Sequence, residues 1–159
     1  MTTRILTVCL GNICRSPVAE AAIREAAAAA DVDVEVDSAG TGAWHVGNPP
    51  DERMQAAGAE SGLDVGGRAR QVTPADLDHH DLVVAMDASN LADLQAMADQ
   101  HGASATIRLF RSFDPDAGDT DLDVPDPYYG GPDGFSRVVE MMRPAAAGVV
   151  DWAAKRDGD

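Results

Sequence analysis

In the run Cys9-Leu10-Gly11-Asn12-Ile13-Cys14-Arg15-Ser16, a sulfur nucleophile and a guanidinium are separated by five residues. A thiol is a poor nucleophile near neutrality until its surroundings favour the thiolate. The apolar run Ile5-Leu6-Thr7-Val8 leads into Cys9, and Pro17 opens a helical stretch behind it. A strand-to-helix turn of this kind aims unpaired backbone N–H groups and the positive end of the helix dipole at one small hollow. Arg15 adds a planar fork that matches two oxygens of a phosphoryl group. Gly11 lets the backbone curl close to a ligand, and Asn12 tolerates left-handed geometry while its side chain ties the loop. Ser16 caps the helix or hydrogen-bonds the thiolate. These residues suit one chemistry, which is to bind a phosphate and attack it. The plainer reading is a buried cysteine in an ordinary turn. Gly, Asn, Arg, Ser and Pro at each mechanically demanding position weigh against that.

The elements that must position this loop read as an α/β chain. At 159 residues and 45% hydrophobic content, the simplest organisation is a single domain over 1–159. Strand patterns at Arg4–Cys9, Val32–Asp37, Asp81–Met86 and Thr106–Phe110 alternate with helical stretches. The expected architecture is a four-stranded parallel twisted sheet with helices on both faces and a phosphate-binding loop after strand one. Strand one is apolar on both faces and central. The second alternates valines with acids and belongs at an edge. Ser16 is expected as N-cap, Pro17 as first helical residue and Glu20 in the opening turn, with the helix running to about Ala30. Further helices are expected over Asp51–Ser61, Ser89–Gln100 and Phe135 to about Lys155, the last bent at Pro144. Ser38-Ala39-Gly40-Thr41-Gly42 and residues 111–134 read as loops, and a loop as long as the second one is usually functional.

Charge narrows the partners. A net charge of −15 argues against nucleic acid and anionic membranes, so neither is expected. No stretch approaches a membrane span and no charged-then-apolar leader opens the chain, so the expected location is the cytoplasm. Two cysteines five positions apart suit catalytic or redox chemistry better than a disulfide framework. His45, His79, His80 and His101 have no metal-ligand spacing and receive no role. Eleven arginines against one lysine fit a high-GC genome.

Cys-x5-Arg-Ser occurs in several cysteine phosphatase families. The fuller string from Cys9 to Pro17, close to the N-terminus, resembles the low-molecular-weight protein tyrosine phosphatases, in particular bacterial, actinobacterial-like ones. The resemblance continues through Asp37-Ser38-Ala39-Gly40-Thr41, Trp44-His45-Val46-Gly47, Ala69-Arg70-Gln71, Met86-Asp87 and Asp126-Pro127-Tyr128-Tyr129-Gly130. It implies that Cys9 attacks phosphotyrosine to form a cysteinyl-phosphate, which water hydrolyses, while Arg15 and the loop amides hold the phosphoryl oxygens. It needs no metal and no cofactor.

Expelling a phenolate benefits from a proton donor. Asp126, between Pro125 and Pro127, is that donor by the resemblance, whereas Asp114, Asp116, Asp119, Asp121 and Asp123 of the same loop are solvated surface charge. The glycine and glutamate of a calcium loop are out of register there. Trp44, Tyr128 and Tyr129 are placed by the same analogy at the rim of a slot that grips a phenyl ring. Asn12, Ser16 and Ser38 form a supporting shell. Cys14 packs the loop or pairs with Cys9 under peroxide. Many relatives carry a histidine where this chain has Gly67, which leaves the support of that shell open.

The expected partner is a phosphotyrosine-containing protein, bound by a monomer. An arsenate reductase on this scaffold would need further cysteines after Cys14, and there are none. A protein arginine phosphatase is the nearer alternative. Those relatives place threonine where Ile13 stands, and the apolar Ile13 points to an aromatic substrate. A non-catalytic phosphotyrosine-binding module is disfavoured by the presence of Cys9, Arg15 and Asp126 together.

Overall fold

In the computed structural model, which describes residues 2–157, every strand of the sheet is parallel to its neighbours. The chain runs β1 (Thr3–Cys9), α1 (Arg15–Ala30), β2 (Val34–Gly40), α2 (Glu52–Glu60), α3 (Pro74–His79), β3 (Leu82–Ala85), α4 (Ala88–His101), β4 (Thr106–Leu109), a 3-10 turn (Phe110–Phe113) and α5 (Pro132–Asp157). The sheet order is β2-β1-β3-β4. The chain leaves β1 toward β2 and then crosses back to β3 on the other side. Open α/β sheets bind ligands beyond the carboxyl ends of strands at such a reversal. Cys9 ends β1 at that point.

Alternation along β1 sends its side chains into two cores. Ile5 and Cys9 face α1, α2 and α5, where Val18, Ile23, Met54, Phe135 and Met142 pack. Leu6 and Val8 face α3 and α4, where Leu77 and Leu94 pack. Helices thus cover both faces, as the apolar run of β1 predicts. Thr7 lies on the α1 side, fully buried, and its hydroxyl donates to the Ser16 carbonyl at 2.8 Å. That bond fixes the helix that follows the loop against the strand that precedes it.

Several boundaries differ from the sequence reading. Helix α1 starts at Arg15 with Cys14 as N-cap and no side-chain cap, so Ser16 is not the cap and Pro17 is the third helical residue. A proline is tolerated there because the N–H groups of a first turn have no intrahelical acceptor. The earlier start moves Glu20 out of the opening turn and into a buried position. Strand β2 extends through Ser38, Ala39 and Gly40, which pair with Thr7, Val8 and Cys9 instead of looping. Gly40 is required there, since a Cβ would stand 2.7 Å from the Leu10 carbonyl. The long loop is shortened at both ends, by the 3-10 turn and by the earlier start of α5. Helix α3 is additional, and Thr73 and Asp76 close it with a capping box just ahead of and within its first turn.

Candidate active site

The loop from Leu10 to Cys14 closes at the carboxyl end of β1, its start held by the segment that follows β2. Thr41 N–H donates to the Cys9 carbonyl and Gly42 N–H to that of Leu10, each at 2.9 Å. Asn12 adopts a left-handed backbone with φ of 58°, which folds the loop over the sulfur. Its N–H donates to Cys9 Sγ at 3.2 Å.

The supporting shell leaves the Ser16 proton free for a second bond to that sulfur. The Arg70 N–H donates to Asn12 Oδ1 at 3.0 Å, which fixes the orientation of the amide. Asn12 Nδ2 then donates to Ser16 Oγ at 2.8 Å and to Ser38 Oγ at 3.0 Å. Ser16, which accepts from Asn12, has its one proton left for Cys9 Sγ at 3.0 Å. Two hydrogen bonds therefore converge on the sulfur, the arrangement a thiolate needs. The histidine that relatives place at Gly67 is not required to close this shell. A backbone N–H from Arg70 does so, and Gly67 itself is exposed, with φ of +90° and open space where a side chain would stand.

Arg15 is buried, and its guanidinium is clamped from behind. Nη1 donates to Asp87 Oδ2 at 2.6 Å and to the Val124 carbonyl at 3.0 Å, while Nη2 stands 3.6 Å from Asp126 Oδ2. Burial works against its charge, but Cys9, Asp87 and Asp126 outweigh burial and hold its proton more firmly than in a free arginine. Asp87 also caps α4 by accepting from Asn90 N–H at 2.8 Å, so the helix and the arginine share one anchor. Asp126 comes from the long loop, its Oδ1 accepting from Tyr128 N–H at 3.1 Å. Burial, helped by Asp51, Cys9 and Asp126, pushes the Cys14 thiol up to about 12 against the pull of Arg53.

These groups open on a cleft of about 440 Å³ lined by Cys9, Arg15, Asp126, Trp44, His45 and Tyr128, among others. Leu10, Gly11, Ile13, Cys14 and Tyr129 complete the lining. Tyr128 is held in the wall by Tyr129 in a T-shaped contact at 4.9 Å, by His45 at 5.9 Å and by the Arg53 guanidinium at 5.4 Å. Trp44 is 73% exposed and lies over Gly42, where any side chain would strike the indole. All the residues expected of the site thus meet at one place, with Asn12, Ser16 and Ser38 behind it.

The description "Low molecular weight phosphotyrosine protein phosphatase" belongs to the family model that matches residues 4–156. A low molecular weight protein-tyrosine-phosphatase of Streptomyces coelicolor is 47% identical over 152 residues, covering 94% of this chain and 93% of its own. The chain belongs to this family. A solved protein tyrosine phosphatase from Entamoeba histolytica, with Hepes in its active site, superposes with a TM-score of 0.89 at 33% identity. It covers 98% of this chain and 99% of its own. A Drosophila arginine phosphatase superposes with a TM-score of 0.86 at 31% identity, covering 93% and 96%.

Within this phosphatase, four contributors carry no assignment from the sequence. Asp87 and Arg53 are distant in the chain from the groups they hold, and only the tertiary fold brings them close. His45 lines the cleft although its spacing to the other histidines suits no metal. The Arg70 N–H carries no side-chain signal at all. Met86-Asp87 and Trp44-His45 do stand among the motifs of the resemblance, which is the available clue.

Proposed function

We propose that this phosphatase hydrolyses phosphotyrosine on proteins by attack of Cys9 on phosphorus. Sγ forms a bond to phosphorus as the phenolic oxygen leaves with a proton from Asp126. Asp126 then takes a proton from water, which displaces Sγ and releases phosphate. Arg15 and the loop N–H groups bear the charge on the three remaining oxygens. The reading rests above all on Cys9 receiving hydrogen bonds from Ser16 and Asn12 in a cleft that also holds Arg15 and Asp126. The enzyme acts without a metal, because this cradle supplies the positive charge, and as a cytoplasmic monomer.

Trp44, Tyr128 and Tyr129 grip the phenyl ring, and a wall this aromatic favours tyrosine over the shorter phosphoserine. Ile13 is buried and presents only carbon to the cleft, which favours an aryl over a guanidinium substrate. Cys14 acts as a resolving thiol. Peroxide oxidises Cys9 to the sulfenic acid with loss of water, and Cys14 displaces hydroxide from that sulfur to form a disulfide. Kinetics on matched phosphotyrosine, phosphoserine and phosphoarginine peptides test the substrate. Phosphotyrosine is expected to dominate and Cys9→Ser to be inactive on it. Faster turnover of phosphoarginine would contradict the reading.

A further inference from the structure

Asp126 is exposed, and its carboxylate has two holds, the Tyr128 N–H at 3.1 Å and Arg15 Nη2 at 3.6 Å. Its place over the cleft is therefore set largely by the backbone that leads to it. Two residues earlier, Val124 N–H donates to the Met86 carbonyl at 2.7 Å. The Val124 carbonyl in turn accepts from Arg15 Nη1 at 3.0 Å.

Two side chains outside the cleft complete this hold. Arg111 stands in the 3-10 turn, whose Phe110 and Phe113 are buried in the core and give it a fixed base. Its Nη1 donates to the carbonyls of Asp121 at 2.7 Å and Asp123 at 3.1 Å. Asp121 has φ of 54°, a left-handed conformation that costs a non-glycine residue, and Arg111 takes that residue's carbonyl. Asp123 does more than face solvent. Its Oδ1 accepts the N–H of Ala88, the first residue of α4, at 2.9 Å. Asp87, one residue before, clamps Arg15 from behind. One helix start thus anchors both the acid's loop and the arginine.

We propose that Arg111 and Asp123 are positioning residues for Asp126: they fix the backbone entering Pro125 so that the carboxyl meets the leaving oxygen. Neither lines the cleft, and both act through the main chain of 121–124. The inference rests on Asp126 being the proton donor. Arg111 is a cation and Asp123 an anion, so an effect through charge would have opposite signs on removing each. Positioning gives both the same sign.

The test compares kcat/KM for phenyl phosphate, a poor leaving group, with that for the activated p-nitrophenyl phosphate. This ratio covers the steps up to departure of the phenol, so its leaving-group dependence reports the acid, whereas lost folded protein lowers both substrates alike. Arg111→Met and Asp123→Ala should each cost about tenfold on phenyl phosphate and less than about twofold on p-nitrophenyl phosphate. In the Asp126→Asn background, Arg111→Met should cost nothing further, because the group it positions is gone. If Arg111→Met does not fold, Asp123→Ala carries the same comparison and the same double variant. Equal slowing of both substrates, opposite effects of the two changes, or additive losses with Asp126→Asn would overturn the proposal. Equal slowing by Asp126→Asn alone would overturn the acid assignment first, and the positioning role with it.

Discussion

Two side chains at the Cys9 loop carry opposite electrostatic assignments. Arg15 gains from the sulfur and from the carboxylates of Asp87 and Asp126, whereas the Cys14 thiol loses to burial and to Asp51, Cys9 and Asp126. Cys14 is therefore neutral at physiological pH and cannot replace Cys9 as nucleophile. Its ionised form is what attacks a sulfenic acid, so disulfide closure after peroxide should accelerate about tenfold per pH unit between neutrality and pH 9. Mass spectrometry of the linked Cys9–Cys14 peptide measures this, and a pH-independent rate would return Cys14 to packing. The acid is a separate matter. Asp126→Asn should slow aryl phosphates with poor leaving groups by roughly 10²-fold or more and activated ones far less. Equal slowing would assign the proton to another group. At this scale the nucleophile, the arginine, Asn12 and Ser16 are legible because they are local in sequence, whereas Ser38, 26 residues from Asn12, enters only through the resemblance. Asp87 and Arg53 are not, since the groups they hold, Arg15 and Tyr128, lie far along the chain.

Among the elements, periodicity locates all four strands and the long helices, and misses where local and tertiary demands compete. Ser16 has the chemistry of an N-cap, yet α1 begins two residues earlier than that cap would set it, and the hydroxyl serves Cys9 instead. Ser38-Ala39-Gly40 has the composition of a turn, but pairing with β1 extends the strand through it. The six-residue α3 is too short for a periodic signal, although Thr73-Pro74 and Asp76 mark its start. Helix α5 runs on through Pro144 and packs by Gly148 against the Phe113 carbonyl, which leaves no room for a Cβ. Gly148→Ala should therefore destabilise the fold by about 1–3 kcal/mol, despite the gain in helix propensity. Urea unfolding checks this, and unchanged or greater stability would mean that the 3-10 turn yields freely.

For the whole molecule, the sheet order decides where chemistry happens. The reversal between β2 and β3 leaves the carboxyl ends of β1 and β3 side by side, one delivering Cys9 and the other leading to Asp87. Among the described residues no helix is long and apolar enough to cross a membrane. A net charge of −15 makes the general field unfavourable to a phosphate, so binding must come from Arg15 and the loop amides at short range. The central claim is that this local cradle directs phosphorus to one sulfur. Rapid acid quench of the enzyme during turnover of an aryl phosphate, followed by mass spectrometry, reads that directly. The expected result is one phosphoryl group on Cys9, absent in Cys9→Ser. Phosphate on another residue, or none while hydrolysis continues in Cys9→Ser, would contradict it.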